Sequence, residues 1–158
     1  MESSLQQTHL IQALRSQSTW RLLGLGLVTY GVYFAHYVAK QTRVLNAELA
    51  PEQHIPRQVV LWTFFLQYLS LALFFGYLFV EESHPIATLS NVIDRLSFIP
   101  LLIWGFMARN RVNSACGISR TEVAWFHGLW TFLFSPLYFN YKINVLSDKA
   151  EDPSAVVL

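Results

Sequence analysis

Residues 58–80 form a run of 23 residues without a single charge. As a helix this run is about 34 Å long, against a bilayer hydrocarbon core of roughly 30 Å. Apolar runs of about 10–14 residues are the usual mark of a buried helix in a soluble core, and this one is far longer. The whole chain agrees: 53% of its 158 residues are hydrophobic and 13% are charged, where a soluble domain carries about a quarter charged residues. The run therefore predicts an all-α integral membrane protein built as one compact unit.

Three more stretches are nearly free of charge, at residues 22–39, 86–108 and 123–141. With 58–80 they allow up to four spans. The second and third read as a central transmembrane hairpin, with Pro85 opening the return helix where a proline is tolerated. Trp62 and Trp104 are expected at one membrane interface, beside Arg57 and Arg109, because an indole ring is apolar while its N–H seeks water. The first and fourth stretches carry breakers near their middles, Thr29-Tyr30-Gly31 and Ser135-Pro136, so each predicts a broken or kinked membrane helix. Such breaks must pack against protein or line a wet cavity.

Residues 1–19 read as a polar segment, with Leu10, Ile11 and Leu14 as the thin apolar face of a short surface helix. The apolar stretch that follows is longer than a signal-peptide core and no cleavage site follows it, so the N-terminus is read as retained. Residues 20–146 then form a single helical membrane domain, and residues 147–158 a disordered tail.

Ten of the eleven Lys and Arg residues lie outside the apolar stretches, and loop 81–85 holds none. Basic residues flanking apolar segments collect on the cytoplasmic side. With four spans the split between sides is only six to four. If the middle hairpin alone spans, and the first and fourth stretches dip in and return, it becomes ten to none. The second arrangement satisfies the bias better and is the expectation here, at the inner membrane of a cell, with two full spans of ordinary length as its rival.

Net charge is +1 and the cations are scattered among loops, so there is no footprint for nucleic acid. The single cysteine, Cys116, rules out an internal disulfide framework and a cysteine-rich metal site; it reads as a free thiol in a polar loop on the reducing side. Asp94 and Arg95 are the only charges inside an expected span. If the helix starts at Ile86 they sit near the bilayer centre, where each costs about 2.5–3.5 kcal/mol. A later start would put both at the outer interface. Adjacent helical residues point about 100° apart, so each needs its own partner, for which Asn140 and His127 are candidates. His36 and His127 lie on different apolar stretches, as axial haem b ligands must, and offer a lesser candidate site. No nucleophilic triad or phosphate loop is present, and Gly24-Leu25-Gly26 reads as a close-packing site. The expectation is thus no enzyme, no cofactor and no metal.

Leu27-Val28-Thr29-Tyr30-Gly31-Val32-Tyr33-Phe34, followed by Thr42-Arg43-Val44-Leu45-Asn46, resembles the opening of the bacterial domain of unknown function 4234 family. Its pattern is a Thr-x-Gly-x-Tyr turn, an aromatic, then a basic residue and an Asn. Arg109-Asn110-Arg111-Val112-Asn113 is similar to the family's middle motif, and Ser135-Pro136-Leu137-Tyr138-Phe139-Asn140-Tyr141-Lys142-Ile143-Asn144 to its closing segment. The resemblance covers roughly residues 20–146 and implies a small bacterial multi-pass membrane protein, without an established activity.

A fainter pattern lies inside the chain. Arg43-Val44-Leu45-Asn46, Arg111-Val112-Asn113 and Lys142-Ile143-Asn144 each set a cation and a branched residue before Asn. One reading has the cation meeting lipid phosphate and Asn46, Asn113 and Asn144 capping helices in the left-handed conformation. The expected function is a non-enzymatic accessory or scaffold subunit, assembled with itself or with other membrane subunits in the bilayer. The alternatives are a small transporter or channel subunit with an Asp94/Arg95 polar path, and the haem subunit.

Overall fold

A computed structural model describes the backbone of residues 2–81 and 84–151 and the side chains from Gln7 onward. All regular structure among them is helical: α1 (Glu2–Leu14), α2 (Thr19–Val28), α3 (Val32–Glu48), a 3₁₀ turn (Pro51–Gln53), α4 (Arg57–Tyr77), α5 (Pro85–Ala115) and α6 (Gly128–Glu151). Two helices, α4 with its preceding turn and α5, are long and apolar enough to cross a membrane. They pack along each other as a hairpin. His84 starts α5 by accepting the Ile86 N–H on its ring Nδ1, with Pro85 at the first helical position.

Helix α4 is polar inside and apolar outside. The buried residues of α4 are Thr63, Gln67 and Ser70, a spacing that puts them on one helical face. Leu61, Trp62, Phe65, Tyr68 and Phe75 of the same helix are exposed. Helix α5 answers with Ser90, Asp94 and Ser97 at the same spacing, Ser90 and Ser97 being buried. The Ser70 hydroxyl donates to Asp94 Oδ1 at 2.6 Å and the Gln67 amide to the Ser97 carbonyl at 3.3 Å. A helix in a water-soluble core buries the opposite face.

Both predicted breaks are present, and both turn the chain back on itself. Tyr33, early in α3, donates its hydroxyl to Gln17 Oε1 at 2.8 Å across 16 residues. A continuous helix would hold those backbones about 24 Å apart. Gln41 likewise reaches the Leu14 carbonyl at 3.0 Å. In α6 the break falls at Ser135 (φ 30°, ψ −107°). The His127 N–H donates to the Tyr138 hydroxyl at 3.1 Å, and the Phe126 and Phe139 rings lie 5.7 Å apart. The apex of this second hairpin docks on α5, where Ser135 Oγ donates to the Leu101 carbonyl at 2.6 Å. Gly105 admits it, since a Cβ there would lie 2.6 Å from Ser135 Oγ.

The three asparagines of the internal pattern do not cap their helices. Each lies within a helix and clamps the backbone of a different segment. Asn46 accepts the Ile55 N–H at 2.8 Å and donates to the Ile55 carbonyl at 3.1 Å. Asn113 does the same for Phe126, at 3.1 and 3.4 Å. Asn144 donates to the Gln17 carbonyl at 3.0 Å, joined by Asn140 at the same distance. Gln17, Ile55 and Phe126 each stand two residues before a helix starts, at Thr19, Arg57 and Gly128. A side-chain amide matches a backbone N–H and C=O together, so one device fixes how α4 and α6 set off; at Gln17, Asn144 and Asn140 only donate, and their Oδ1 atoms are buried without a donor. Two of the three cations work alike rather than reaching for phosphate: Arg111 donates to the Gln53, His54 and Met107 carbonyls, and Lys142 to the Val123 carbonyl at 2.5 Å. Arg43 is exposed.

Helix α1 lies on α3 and α6 with Leu10, Ile11 and Leu14 buried. Gln7 donates to the Cys116 carbonyl at 2.6 Å, and His9 meets Glu48 at 3.1 Å. Helix α1 and the end of α6 therefore sit at the end of the molecule that also holds loops 49–56 and 116–127. Helix α6 runs on through Glu151, past residue 147 where a tail was expected; Arg15 holds it through Asp148 and Glu151, both at 2.8 Å. Residues 152–158 of that expected tail lie outside the described residues. One other expectation fails through burial. Trp104 is fully buried, its N–H donating to Thr42 Oγ1 at 2.8 Å and its ring packed on Tyr37 and Phe139. Cys116 is a free thiol, as expected, but it caps α5 rather than lying in a loop; it is buried, and burial pushes its thiol up to about 11.

Candidate functional site

The polar seam between α4 and α5 meets the apex of the first hairpin, and a cleft of about 310 Å³ opens there. Helix α2 ends with Thr29 Oγ1 donating to the Leu25 carbonyl at 2.7 Å and the Gly31 N–H to the Gly26 carbonyl at 2.7 Å. The latter is a six-to-one bond that closes a helix through left-handed residues. Those residues are Tyr30 (φ 50°) and Gly31 (φ 87°). Thr29 Oγ1 also accepts the Tyr33 N–H at 2.9 Å, which starts α3. Gly31 has a second reason to be glycine: a Cβ would overlap Gln67 Oε1.

A non-glycine residue in the left-handed region costs roughly 1–2 kcal/mol. Tyr30 is held there by two contacts. Its ring stacks on Phe74 with centroids 4.4 Å apart, and its hydroxyl donates to Asp94 Oδ2 at 3.0 Å. Asp94 thus takes one hydroxyl on each oxygen, from Ser70 and Tyr30. Its partners are neither Asn140 nor His127, as the sequence suggested. Asn140 is turned to Gln17 and Thr19 instead. The rest of the cleft is lined by Gly26, Leu27, Phe34, Phe98 and Leu101.

Arg95 does not share this site. It is exposed on the other face of α5, between exposed Val92, Leu96 and Ile99. No ion pair or hydrogen bond of its side chain occurs among the described residues. The expected Asp94/Arg95 path is therefore split into an inward carboxylate and an outward cation. His36 and His127 are not brought together either. His36 stands against Phe64 and Tyr68 of α4, its Nε2 3.1 Å from the Tyr68 hydroxyl. His127 opens α6 at the other end of the hairpin's packing, beside Tyr138. Among the described residues no three His, Cys, Asp or Glu side chains gather as a metal site.

Sequence reasoning named Thr29, Gly31, Tyr33 and Asp94 but missed Gln67, Ser70 and Ser97. Their signal was legible: two polar stripes, 63–67–70 and 90–94–97, each at helical spacing inside an uncharged or nearly uncharged run. Compared with family models, curated proteins and solved structures, the chain matches none. The fold and site define an all-helical protein with two helices fit to cross a membrane.

Proposed function

We propose that this chain is a small multi-pass protein of the bacterial inner membrane that acts as a non-enzymatic scaffold or accessory subunit, assembled with itself or within a larger membrane complex. In this reading α4 and α5 span the bilayer. The α2–α3 and α6 hairpins dip in from the cytoplasmic side and return. Support comes from the polar-in, apolar-out helix α4 and from the placement of α1 and the end of α6 beside loops 49–56 and 116–127, which satisfies the positive-inside bias. Membership of the domain of unknown function 4234 family belongs to the same proposal. Its motif residues Thr29, Gly31 and Pro136 fall at the two apexes, and Asn46, Asn113 and Asn144 at the three clamps.

Arg95 carries the functional part. Ser70 lies near the middle of the 58–80 run and holds Asp94 at its own depth, so Arg95 is at that depth too. A guanidinium facing lipid there is disfavoured by about 2.5–3.5 kcal/mol. A carboxylate or carbonyl from a neighbouring chain relieves that. Asp94, by contrast, is occupied in fixing the first hairpin. A transporter subunit is the second reading, favoured by the cleft that exposes Asp94 and weakened by the opposite facing of Arg95. The wide separation of their surroundings gives His36 and His127 the least support as haem ligands.

Native mass spectrometry after extraction in mild detergent tests the assembly. The expected result is a defined oligomer or complex for the natural chain and a monomer of unchanged helicity for Arg95→Gln. A natural chain that emerges alone, or a variant that assembles equally well, contradicts the reading.

A further inference from the structure

Arg109 and Arg120 share one indole ring, that of Trp125. The Arg109 guanidinium lies 5.5 Å from the Phe106 ring centroid and 5.7 Å from that of Trp125; Arg120 lies 6.0 Å from the same Trp125 ring. Yet neither side chain makes an ion pair or hydrogen bond among the described residues, and Arg109 Nε is buried without an acceptor. Of the other cations at this end, Arg15 is answered by two carboxylates and Arg111 and Lys142 by backbone carbonyls, while Lys40, Arg43 and Arg57 are exposed and unpaired among the described residues. The acid nearest in sequence, Glu122, accepts the Ser119 N–H at 2.9 Å, and those bonds to Ser119 hold its carboxyl below the usual range.

We propose that Arg109, Arg120 and Trp125 form a site for the phosphate of an anionic phospholipid. Two guanidiniums offer the paired N–H donors that phosphate oxygens accept, and their Nη groups make no hydrogen bond among the described residues. Cation–π contact with Trp125 orients both forks without neutralising them. Gly128 keeps the opening of α6 tight against Arg109, since a Cβ there would come within 2.9 Å of Nη1. Val123, Leu129 and Trp130 around it are exposed. That apolar rim suits acyl chains and is what favours a lipid over a free anion. Basic pockets at the cytoplasmic face of membrane helices take such headgroups. The site rests on the membrane reading above.

The test uses the full chain, delipidated in detergent, with the Trp fluorescence followed as lipid is added. Short-chain phosphatidylglycerol is expected to bind saturably, at least tenfold tighter than phosphatidylcholine and than inorganic phosphate. Arg109→Gln and Arg120→Gln should each weaken it about tenfold, with Arg120→Lys retaining most of the affinity. Arg120 lies in an exposed loop, so its variants report even if Arg109→Gln misfolds. Equal binding of phosphatidylcholine, or unchanged binding in Arg120→Gln, overturns the site. Inorganic phosphate binding as tightly as phosphatidylglycerol assigns it to a soluble anion and overturns the lipid. Carbonate washing of the source membranes separates the two failures. A chain that washes off refutes the membrane reading; one that stays but shows no charge selectivity refutes only this site.

Discussion

Gly31→Ala tests how the first hairpin is held. At φ 87° an alanine Cβ is strained, and it would overlap Gln67 Oε1. The left-handed conformation accounts for roughly 1–2 kcal/mol, and forcing an extra methyl into a packed site for about 1–3 kcal/mol. Moving Gln67 aside also endangers its bond to the Ser97 carbonyl. A total destabilisation of about 2–5 kcal/mol is expected. Gly24→Ala is the matched control, because nothing lies within 4 Å of a Cβ there and the residue sits in mid-helix. It should be neutral or slightly stabilising. Far-UV circular dichroism during denaturant titration in detergent reads both. Adding Gln67→Ala to Gly31→Ala should recover the steric part and leave the conformational part. If Gly31→Ala unfolds no earlier than Gly24→Ala, the hairpin apex is not packed on the α4–α5 seam as described.

Asn113→Ala strips both partners from the buried Phe126 backbone, at about 1–3 kcal/mol for each group left unsatisfied, and should speed protease cleavage in loop 117–125 without opening α4; cleavage at the natural rate would refute the clamp. Asn46→Ala should loosen loop 49–56 by less, because that site is only half-buried. Cys116, with its thiol pushed up to about 11 from an ordinary 9.0, should react with iodoacetamide about 100-fold more slowly at pH 8 than a free thiol, following its thiolate fraction. Its rate should reach half its maximum only near pH 11, and half-maximal reaction near the ordinary 9.0 would show an exposed thiol. The folded thiol titrates above its unfolded value, so any stability linked to it is intact below pH 9 and declines as pH rises toward 11.

The uncharged runs announced α4 and α5, and Tyr30-Gly31 and Ser135-Pro136 announced both breaks. The size of each turn was not legible. Glycine and proline mark where helical bonding fails, whereas the direction of the outgoing chain depends on left-handed angles at Tyr30 and Ser135, residue types that seldom adopt them. Asn46, Asn113 and Asn144 were noticed as a repeat and misread as caps. Their partners lie in segments 9, 13 and 127 residues away, and local pattern carries no such distance. Trp104 misled in the same manner: the interface preference of tryptophan was overridden by a buried acceptor, Thr42. Asp94 was found because charge is rare inside so long an apolar stretch. The hydroxyls and amide that hold it are common residues, visible only through their spacing.

The central claim is one spanning hairpin with everything else on a single side, and single-cysteine labelling tests it most directly. In a Cys116→Ser background, cysteines replace exposed Gln12, Glu52, Ser119 and Glu81, and intact cells or oriented vesicles are treated with a membrane-impermeant maleimide. Positions 12, 52 and 119 should label together from the cytoplasmic face, and position 81 only from the opposite face. Labelling of position 12 with position 81, apart from 52 and 119, would mean that the first apolar stretch crosses the bilayer and would contradict the account.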